Sequence, residues 1–456
     1  MSDLKPYNLQ SISIYNFLNK VNKIDFLKDL GENPNKFFKK HEPMIVKDLQ
    51  FKNHSFETRN MRLISPEHYF YFTKLVFRIV LSNESFKSPK SYSFENSNGY
   101  YSGFLLSDIN SFDKRNAVYN ISYSRFLDDL VNYTKHEMLY VDISSFFDSI
   151  SISRLIIELK KTYRSGLVDD LALFFDQLEI KTLPQFHTSI ASSILSQEYL
   201  RGFDNDLQKI LINNDLKLIR FVDDMYFINT KNKVKKGEKF YYTLLDQIGR
   251  LAWKYNLTIN TNKVKVFSGE TPFSIELMDQ TSFFQSEKRI EDKANEITGE
   301  EFLQFVTETS SLYMTKGFNF NLFKQYFNHC FSIKGEDAQK VLNNFIYSGK
   351  WRNMNIGILK KVIKDYYFVY YLPNPLLILY LKIYDYVEIH EERDSTHIKK
   401  LVKELDTGVN TSIILLHSAI NYLIQRGFKR LTLLDGLEDV YSDLRIFMER
   451  YIIESL

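Results

Sequence analysis

Two patterns of apolar and polar residues divide the chain near residue 268. Before that point, short runs of β-branched and aromatic residues, typical of strands, alternate with amphipathic helical stretches. Beyond it, strand alternation fades and apolar residues recur at helical spacing. Segments with that spacing are 302–313, 318–331, 338–347, 356–371, 376–387, 409–424 and 431–453. The pattern predicts an α/β domain over 1–268 and an all-α domain over 269–456, whose paired helices stack like α-solenoid repeats.

The most distinctive polar interruption is an acidic pair inside a predicted hairpin. Residues 216–230 contain two strand-forming runs, and Asp223 and Asp224 stand between them. Such a sequence predicts a β-hairpin with both acids at its tip. An acidic pair of this kind is most often only a turn. It is also the arrangement that phosphoryl-transfer enzymes use to hold a divalent metal ion.

A second acid ends a strand upstream. Asp142 follows the apolar residues Leu139, Tyr140 and Val141, and a helix is predicted after it, over residues 149–161. We therefore expect Asp142 to lie at a strand end that neighbours the hairpin. Three such carboxylates can hold two Mg²⁺ ions about 3.5–4 Å apart, one for the attacking oxygen and one for the leaving pyrophosphate. Mn²⁺ is the expected substitute.

Together the two segments resemble motifs A and C of reverse transcriptases, and especially those of the bacterial abortive-infection (Abi) branch, which is associated with defence. The resemblance implies a palm-and-fingers core followed by an α-helical, HEAT-like domain. It makes Asp142, Asp223 and Asp224 the catalytic metal ligands. It also makes Phe147 a steric gate that favours deoxynucleotides, although plain core packing also explains a phenylalanine there.

Two further segments follow the order of reverse-transcriptase motifs. Residues 181–199 are similar to motif B, in which Gln185 contacts the nucleotide and Thr188 or Ser189 caps a helix. Residues 257–263 are similar to motif D, in which Lys263 protonates the departing pyrophosphate. A solvated surface lysine is the alternative for Lys263.

Motif B departs from the family where Phe186 replaces the usual glycine. We expect its ring to fill space that a template or nucleotide otherwise approaches, which places templated copying in doubt. Abi enzymes include polymerases that add deoxynucleotides without a template and start from a protein tyrosine. Tyr7, on the N-terminal segment, is the candidate priming nucleophile, because a phenol becomes a good nucleophile once a metal or base activates it.

The segment upstream of motif A resembles the fingers subdomain. Arg59 and Arg62 are predicted on an extended piece, where a guanidinium can clamp a triphosphate, and pairing with surface acids is the alternative. Pro66 is expected to act as a breaker before a helix that carries Phe72 and Leu75. Residues 91–102, rich in Ser, Asn, Gly and Tyr, are predicted to form a loop.

Composition limits these expectations. The chain has 456 residues, 44% of them hydrophobic, and a net charge of only +3, which excludes a broadly basic nucleic-acid surface. The single Cys330 excludes an internal disulfide framework, and neither a signal peptide nor a membrane span is predicted. These features favour a reducing cytoplasm and no membrane partner, and the resemblance to the Abi branch implies that the cytoplasm is bacterial.

The sequence thus predicts a Mg²⁺-dependent DNA polymerase of the Abi reverse-transcriptase type, untemplated and tyrosine-primed, acting in defence against bacteriophage. Its expected partners are dNTPs, a single-stranded DNA product that is attached covalently when priming is from protein, RNA, and further copies of the chain in a homo-oligomer. Two alternatives remain open. One is a templated reverse transcriptase that copies an associated RNA, and the other is a nucleic-acid-binding scaffold with a decayed polymerase fold.

Overall fold

A computed structural model describes most of the chain. The described residues are 9–51, 58–83, 93–94, 96–100, 119–187, 189–231, 236–267, 289–332, 338–390, 399–401, 403, 434 and 442–453. The chain divides into two compact units, one formed by residues 17–281 and the other by residues 1–16 with 282–456. The predicted domain boundary between residues 268 and 269 lies outside the described residues.

Helices and two sheets alternate along the first part of the chain. The helices are α1 (Leu9–Lys20), α2 (Lys23–Gly31), α3 (Pro34–Lys40), α4 (Pro66–Leu81), α5 (Tyr119–Val131), α6 (Phe146–Ser149), α7 (Ile152–Thr162), α8 (Ser165–Gln177), α9 (Ile190–Asn213) and α10 (Glu238–Lys254). The strands are β1 (Ile45–Phe51), β2 (Thr58–Ile64), β3 (Ser93–Phe94), β4 (Ser97–Tyr100), β5 (Met138–Asp142), β6 (Gln185–Phe186), β7 (Leu216–Phe221), β8 (Asp224–Asn229) and β9 (Lys265–Phe267).

Among the described residues, these strands form a three-stranded and a six-stranded sheet. The smaller sheet has the order β1-β2-β6, and the larger has the order β3-β4-β7-β8-β5-β9. In the larger sheet β8 is antiparallel to both β7 and β5, so the predicted hairpin lies beside the strand that ends in Asp142. The strand and hairpin predictions are therefore confirmed.

The two faces of the larger sheet are covered separately because strand side chains alternate. Leu139, Val141 and Phe227 belong to a large buried cluster that includes residues of α4, α7, α8 and α9. Their neighbours Met138 and Tyr226 belong to a smaller cluster with Phe126 and other residues of α5. The sheet is thus a layer between helices, and its end at Asp142 and Asp224 carries the acidic residues.

Helix α4 begins at Pro66, as the sequence suggests, because proline fits the first helical turn, where no backbone donor is needed. Its buried face includes Phe72, which stacks on Phe174 of α8 with ring centroids 5.6 Å apart. The ring of Phe186 meets Phe72 edge-on at 5.6 Å. This aromatic packing joins α4 and α8 to the segment that resembles motif B.

Two local predictions are wrong in detail. The helix predicted over 149–161 begins later, because Ile150 has an extended backbone and Ser151 forms a β-bridge with Thr182. The predicted loop over 91–102 contains β3 and β4, since β4 pairs in parallel with β7 and this long-range pairing overrides weak local propensity. Residues 91, 92, 95, 101 and 102 lie outside the described set.

The unit that includes residues 282–456 is helical in its described part. Its helices are Gly299–Lys316, Phe320–Phe331, Ala338–Tyr347, Ile356–Ile363 and Pro373–His390. The predicted segment 356–371 is split, because Asp365 accepts a hydrogen bond from the amide of Tyr367 and starts the 3-10 turn Tyr367–Tyr370. Segment 409–424 lies outside the described residues, as do residues 431–433 and 435–441 of the segment 431–453. The protein as described is mostly helical with small sheets, and none of its described helices is long and apolar enough to cross a membrane.

Buried His68 gives the fold a predictable pH dependence. Its Nδ1 lies 2.8 Å from the hydroxyl of Ser65, and burial, aided by the charge of nearby His41, lowers the pKa of His68 to about 3. Below the ordinary value of 6.5 the unfolded chain binds a proton that the folded chain excludes, so stability falls as pH drops from 6.5 toward 3.

We expect the wild type to lose about 1.4 kcal/mol of unfolding free energy at this residue between pH 7.5 and pH 5.5. His68→Gln keeps a polar side chain beside Ser65 and should lose that share of the pH dependence. Urea unfolding of both proteins at the two pH values measures the difference. Equal pH dependence in the two proteins would contradict the prediction.

Candidate active site

The acidic hairpin has a strained tip. Phe221 pairs with Asp224, so Val222 and Asp223 are the two central residues of the turn. Val222 has φ 53°, which a β-branched residue rarely adopts and which costs roughly 1–3 kcal/mol. Positive φ at the first central residue is the pattern of a type II′ turn, where glycine is usual. The backbone of this acidic tip is therefore held in a conformation that its own sequence disfavours.

Strand pairing brings the acids of the two motifs together. In the register of β5 with β8, Asp142 stands directly opposite Asp224, and Asp223 precedes Asp224 at the tip. Opposite residues of an antiparallel pair point to the same face of the sheet, with Cβ atoms about 4.5–5.5 Å apart. The sequence prediction that these acids lie at neighbouring strand ends is confirmed.

The environment of Asp223 and Asp224 disfavours their negative charge. Burial, and then the charge of Asp224, raises the pKa of Asp223 to about 7. Burial also raises the pKa of Asp224, and the charge of Asp142 adds to this, while Tyr140 and Lys263 oppose it. Carboxylates that are buried near one another in this way are typical of sites that bind a cation.

Lys263 lies where the resemblance to motif D places it, at the acids. Its Nζ is 3.1 Å from Oδ2 of Asp142. Asn260 supports the same carboxylate, because its side-chain amide donates to Oδ2 at 3.1 Å and its backbone amide donates to the carbonyl of Asp142 at 2.8 Å. Sequence analysis missed Asn260, although it lies within the motif-D-like segment.

Tyr140 is a second residue that the sequence analysis did not select. Its hydroxyl donates a hydrogen bond to Oδ1 of Asp224, and its ring lies 4.9 Å from that of Tyr226. The signal was present in the alternation of the strands. Tyr140 precedes Asp142 by two positions, and Tyr226 follows Asp224 by two, so all four share one face.

The donor set suits a divalent metal ion in type but is not gathered around one point. Carboxylate oxygens are the ligands that Mg²⁺ and Mn²⁺ prefer. Yet no three Asp, Glu, His or Cys side chains in the described ranges come close enough together to hold a metal ion. Asp142 and Asp224 each accept hydrogen bonds from the side chains around them. Metal binding at an oxygen that accepts one of these bonds requires that bond to be exchanged for ligation.

The smaller sheet carries two predicted nucleotide-binding residues on neighbouring strands. β2 runs parallel to β6, with Met61 paired to Gln185 and Arg62 paired to Phe186. The predicted cap is confirmed at Ser189, whose hydroxyl accepts a hydrogen bond from the amide of Ser192 at the start of α9. Arg62 and Gln185 are thus on adjacent strands, but they are one register position apart and their side chains point to opposite faces of the sheet.

Phe186 does not occupy the space that the sequence analysis expected. Its side chain is only 2% exposed and packs against Phe72 inside the core. The prediction that this ring fills the space beside a nucleotide is therefore wrong. The reason is that the ring of Phe186, on the edge strand β6, faces α4, and the aromatic core supplies a better environment for an apolar ring.

Phe147 is half-buried on α6, five residues after Asp142. It packs against the large core cluster and meets Phe146 at 5.4 Å, so the core-packing role holds for at least part of the ring. The next residue, Asp148, accepts a hydrogen bond of 2.8 Å from Asn60 of β2. This bond connects β2 to the segment that follows Asp142.

Three predicted residues cannot be placed as side chains. Tyr7 and Thr188 lie outside the described residues, and for Arg59 only the backbone is described, paired with Gln50 in β1. Their predicted roles stay predictions.

Comparison with known proteins gives little guidance. No protein-family model matches the chain, and no curated protein matches it. Among solved structures the chain is similar to telomerase from Candida albicans, in complex with the TWJ fragment of telomeric RNA, at 12% identity and a TM-score of 0.25. The match covers 85% of this chain and 58% of that chain. At that TM-score the likeness supports no assignment of fold or function.

Proposed function

We propose that the chain is a metal-dependent nucleotidyltransferase of the reverse-transcriptase type that polymerises deoxynucleotides. The observation that carries the proposal is the pairing of Asp142 with Asp224 beside Asp223, with Lys263 on the same carboxylate cluster. A scaffold has no need to keep three mutually repelling acids near one another in a partly buried place.

Each residue of this cluster has a defined task in the proposed reaction. Bound by Asp142, Asp223 and Asp224, two Mg²⁺ ions would activate the attacking hydroxyl and neutralise the leaving pyrophosphate. Lys263, more than half exposed, can leave Asp142 and donate its proton to that pyrophosphate. Tyr140 fixes the orientation of Asp224.

The nucleotide contacts are proposed on the same grounds. The guanidinium groups of Arg62 and Arg59 would pair with the triphosphate in bidentate geometry, and Gln185 on the adjacent strand would contact the nucleotide. Phe147 would exclude the 2′-hydroxyl of a ribonucleotide. These roles come from the resemblance alone, because the register of β2 with β6 sets Arg62 and Gln185 on opposite faces of the sheet.

The finer proposal is that synthesis is untemplated, starts from a tyrosine such as Tyr7 and serves defence against bacteriophage, in a homo-oligomer with a HEAT-like helical domain. It rests on the resemblance to the Abi branch. Templated copying is the second candidate, and the burial of Phe186 favours it, because the ring packs against Phe72 in the core and does not stand exposed on the strand. Whether DNA synthesis needs a supplied template decides between the two candidates.

The test is incubation of the purified chain with Mg²⁺ and each labelled dNTP, without template or primer, followed by denaturing gels before and after protease. A labelled product that enters the gel only after proteolysis supports tyrosine-primed, untemplated synthesis, and its loss in Tyr7→Phe identifies the tyrosine. Labelling that needs RNA or a primed template supports templated copying. No labelling under either condition rejects the polymerase proposal in favour of the scaffold.

Replacing the gate residue should change sugar selectivity. We expect Phe147→Ala to raise ribonucleotide incorporation relative to deoxynucleotide incorporation by roughly 10- to 100-fold, since one pocket contact of this size discriminates by about that factor. Phe240→Ala is the matched control, because Phe240 is also a partly buried phenyl ring on the same core cluster but lies on α10. Competition assays with mixed dNTP and rNTP measure the ratio, and equal ratios in all three proteins would leave Phe147 with a packing role alone.

A further inference from the structure

A fully buried ion pair lies beneath the acidic tip. Arg220 on β7 is 0% exposed and Asp204 on α9 is 1% exposed. The guanidinium donates from NH2 to Oδ2 of Asp204 at 2.7 Å and from Nε to both carboxylate oxygens at 3.2 and 3.3 Å. It also donates to the side-chain oxygen of Gln197 at 3.1 Å. The carboxylate and amide of α9 therefore fix the plane of the guanidinium.

The same guanidinium also donates a hydrogen bond to the backbone of the turn. NH1 of Arg220 donates to the carbonyl oxygen of Val222 at 2.6 Å. The amide of Val222 donates to the carbonyl of Tyr100 on β4 at 3.0 Å. The strained residue is thus held from two sides, by a side chain anchored on α9 and by the neighbouring strand.

Charge pairing alone gives no reason for this arrangement. A buried ion pair can usually be replaced by apolar residues of similar volume without loss of stability, because desolvation offsets the attraction. What an apolar pair cannot do is donate to the carbonyl of Val222. Arginine suits that task, since its planar group offers five donors in fixed directions.

We propose that Arg220 is a positioning residue for the acidic site. Anchored by Asp204 and Gln197, it fixes the positive-φ backbone of Val222 and so places Asp223 and Asp224 opposite Asp142. The proposal rests on the proposed polymerase function, but the geometry of the turn can be tested without any catalysis.

The main test is the double variant Arg220→Met with Asp204→Leu, which removes both charges together and leaves no unpaired buried charge. The matched control is Arg201→Met with Glu198→Leu, which removes another pair with a buried acid from the same helix, at 3.4 Å, and does not reach the turn. Arg220→Lys is a second variant, because a lysine keeps a charge for Asp204 but lacks the fork that reaches Val222 at the same time.

Hydrogen exchange of the tip amides is the readout that does not depend on activity. In the double variant and in Arg220→Lys we expect amides 221–225 to exchange at least roughly tenfold faster, while those of 138–142 keep wild-type rates. The control should match the wild type in both segments. Wild-type exchange at 221–225 in folded variants would overturn the proposal.

Kinetics supply the second readout. A turn displaced by about 1 Å should lower kcat roughly 100-fold. The Mg²⁺ concentration for half-activity should rise about tenfold, with a smaller change in KM for dNTP. Wild-type kinetics in the double variant would reduce the pair to a structural role. If the wild type itself incorporates no nucleotide, the proposed function fails, and the exchange rates alone decide the role of Arg220.

Discussion

Asp223→Asn is expected to reduce nucleotide incorporation by about 1,000-fold or more. Asparagine keeps the size of the side chain but removes the charge that would hold a divalent ion, and such an ion supplies several kcal/mol of transition-state stabilisation. The measurement is the steady-state rate of labelled dNTP incorporation at saturating Mg²⁺. Asp246→Asn is the control, because Asp246 is an exposed acid on α10 that pairs with Arg250 at 2.9 Å. We expect the control to retain the wild-type rate.

A second property separates this loss from misfolding. Because burial and the neighbouring carboxylate raise the pKa of Asp223 to about 7, its charged form opposes folding, whereas the amide of asparagine is neutral. In EDTA at pH 8 the variant should therefore melt at the same temperature as the wild type or higher. A lower melting temperature together with lost activity would assign Asp223 a role in folding and would count against the metal site.

Phe186→Ala is expected to lower the free energy of unfolding by about 3–5 kcal/mol, the usual loss when a buried phenyl ring is truncated. The ring is 2% exposed and its edge meets Phe72, so its removal leaves an unfilled cavity in the core. Urea unfolding of the variant gives the value directly. Tyr242→Ala is the control, because Tyr242 is 68% exposed on α10 and its loss should change stability by less than about 0.5 kcal/mol.

The same variant tests whether the ring of Phe186 prevents templated copying. If the ring of Phe186 projected into the site, its removal would leave stability nearly unchanged and would create templated copying where none existed. Burial in the core predicts the opposite pair of results, a large loss of stability and no gain of template use. A stable Phe186→Ala protein that copies RNA would show that the sequence interpretation of this position was right.

The part of the site that lies on strands could be predicted, because side chains alternate between the two faces of a strand and the acidic residues stand where apolar strands end. Asp142, the hairpin and the helix from Pro66 onward all follow from local patterns of apolar residues and turn formers. Tyr140 was visible in the same alternation but was not selected, since no motif drew attention to it.

The rest depends on long-range packing that no local pattern records. The pairing of β4 with β7 joins residues over a hundred positions apart, and it converts a segment rich in loop formers into a strand. The contact of Arg220 with Asp204 joins a strand to a helix across the core. The direction of the Phe186 ring depends on which face of a two-residue strand meets α4.

The division of the chain into units has a consequence for the order in which the protein is made. The larger set of contacts, within residues 17–281, closes as soon as that stretch has left the ribosome. The other unit cannot close then, because Asn16 donates hydrogen bonds to the carbonyls of Tyr451 and Ile452, more than 430 residues later. Helix α1 therefore completes these hydrogen bonds only after the segment around Tyr451, more than 430 residues further along the chain, has been synthesised.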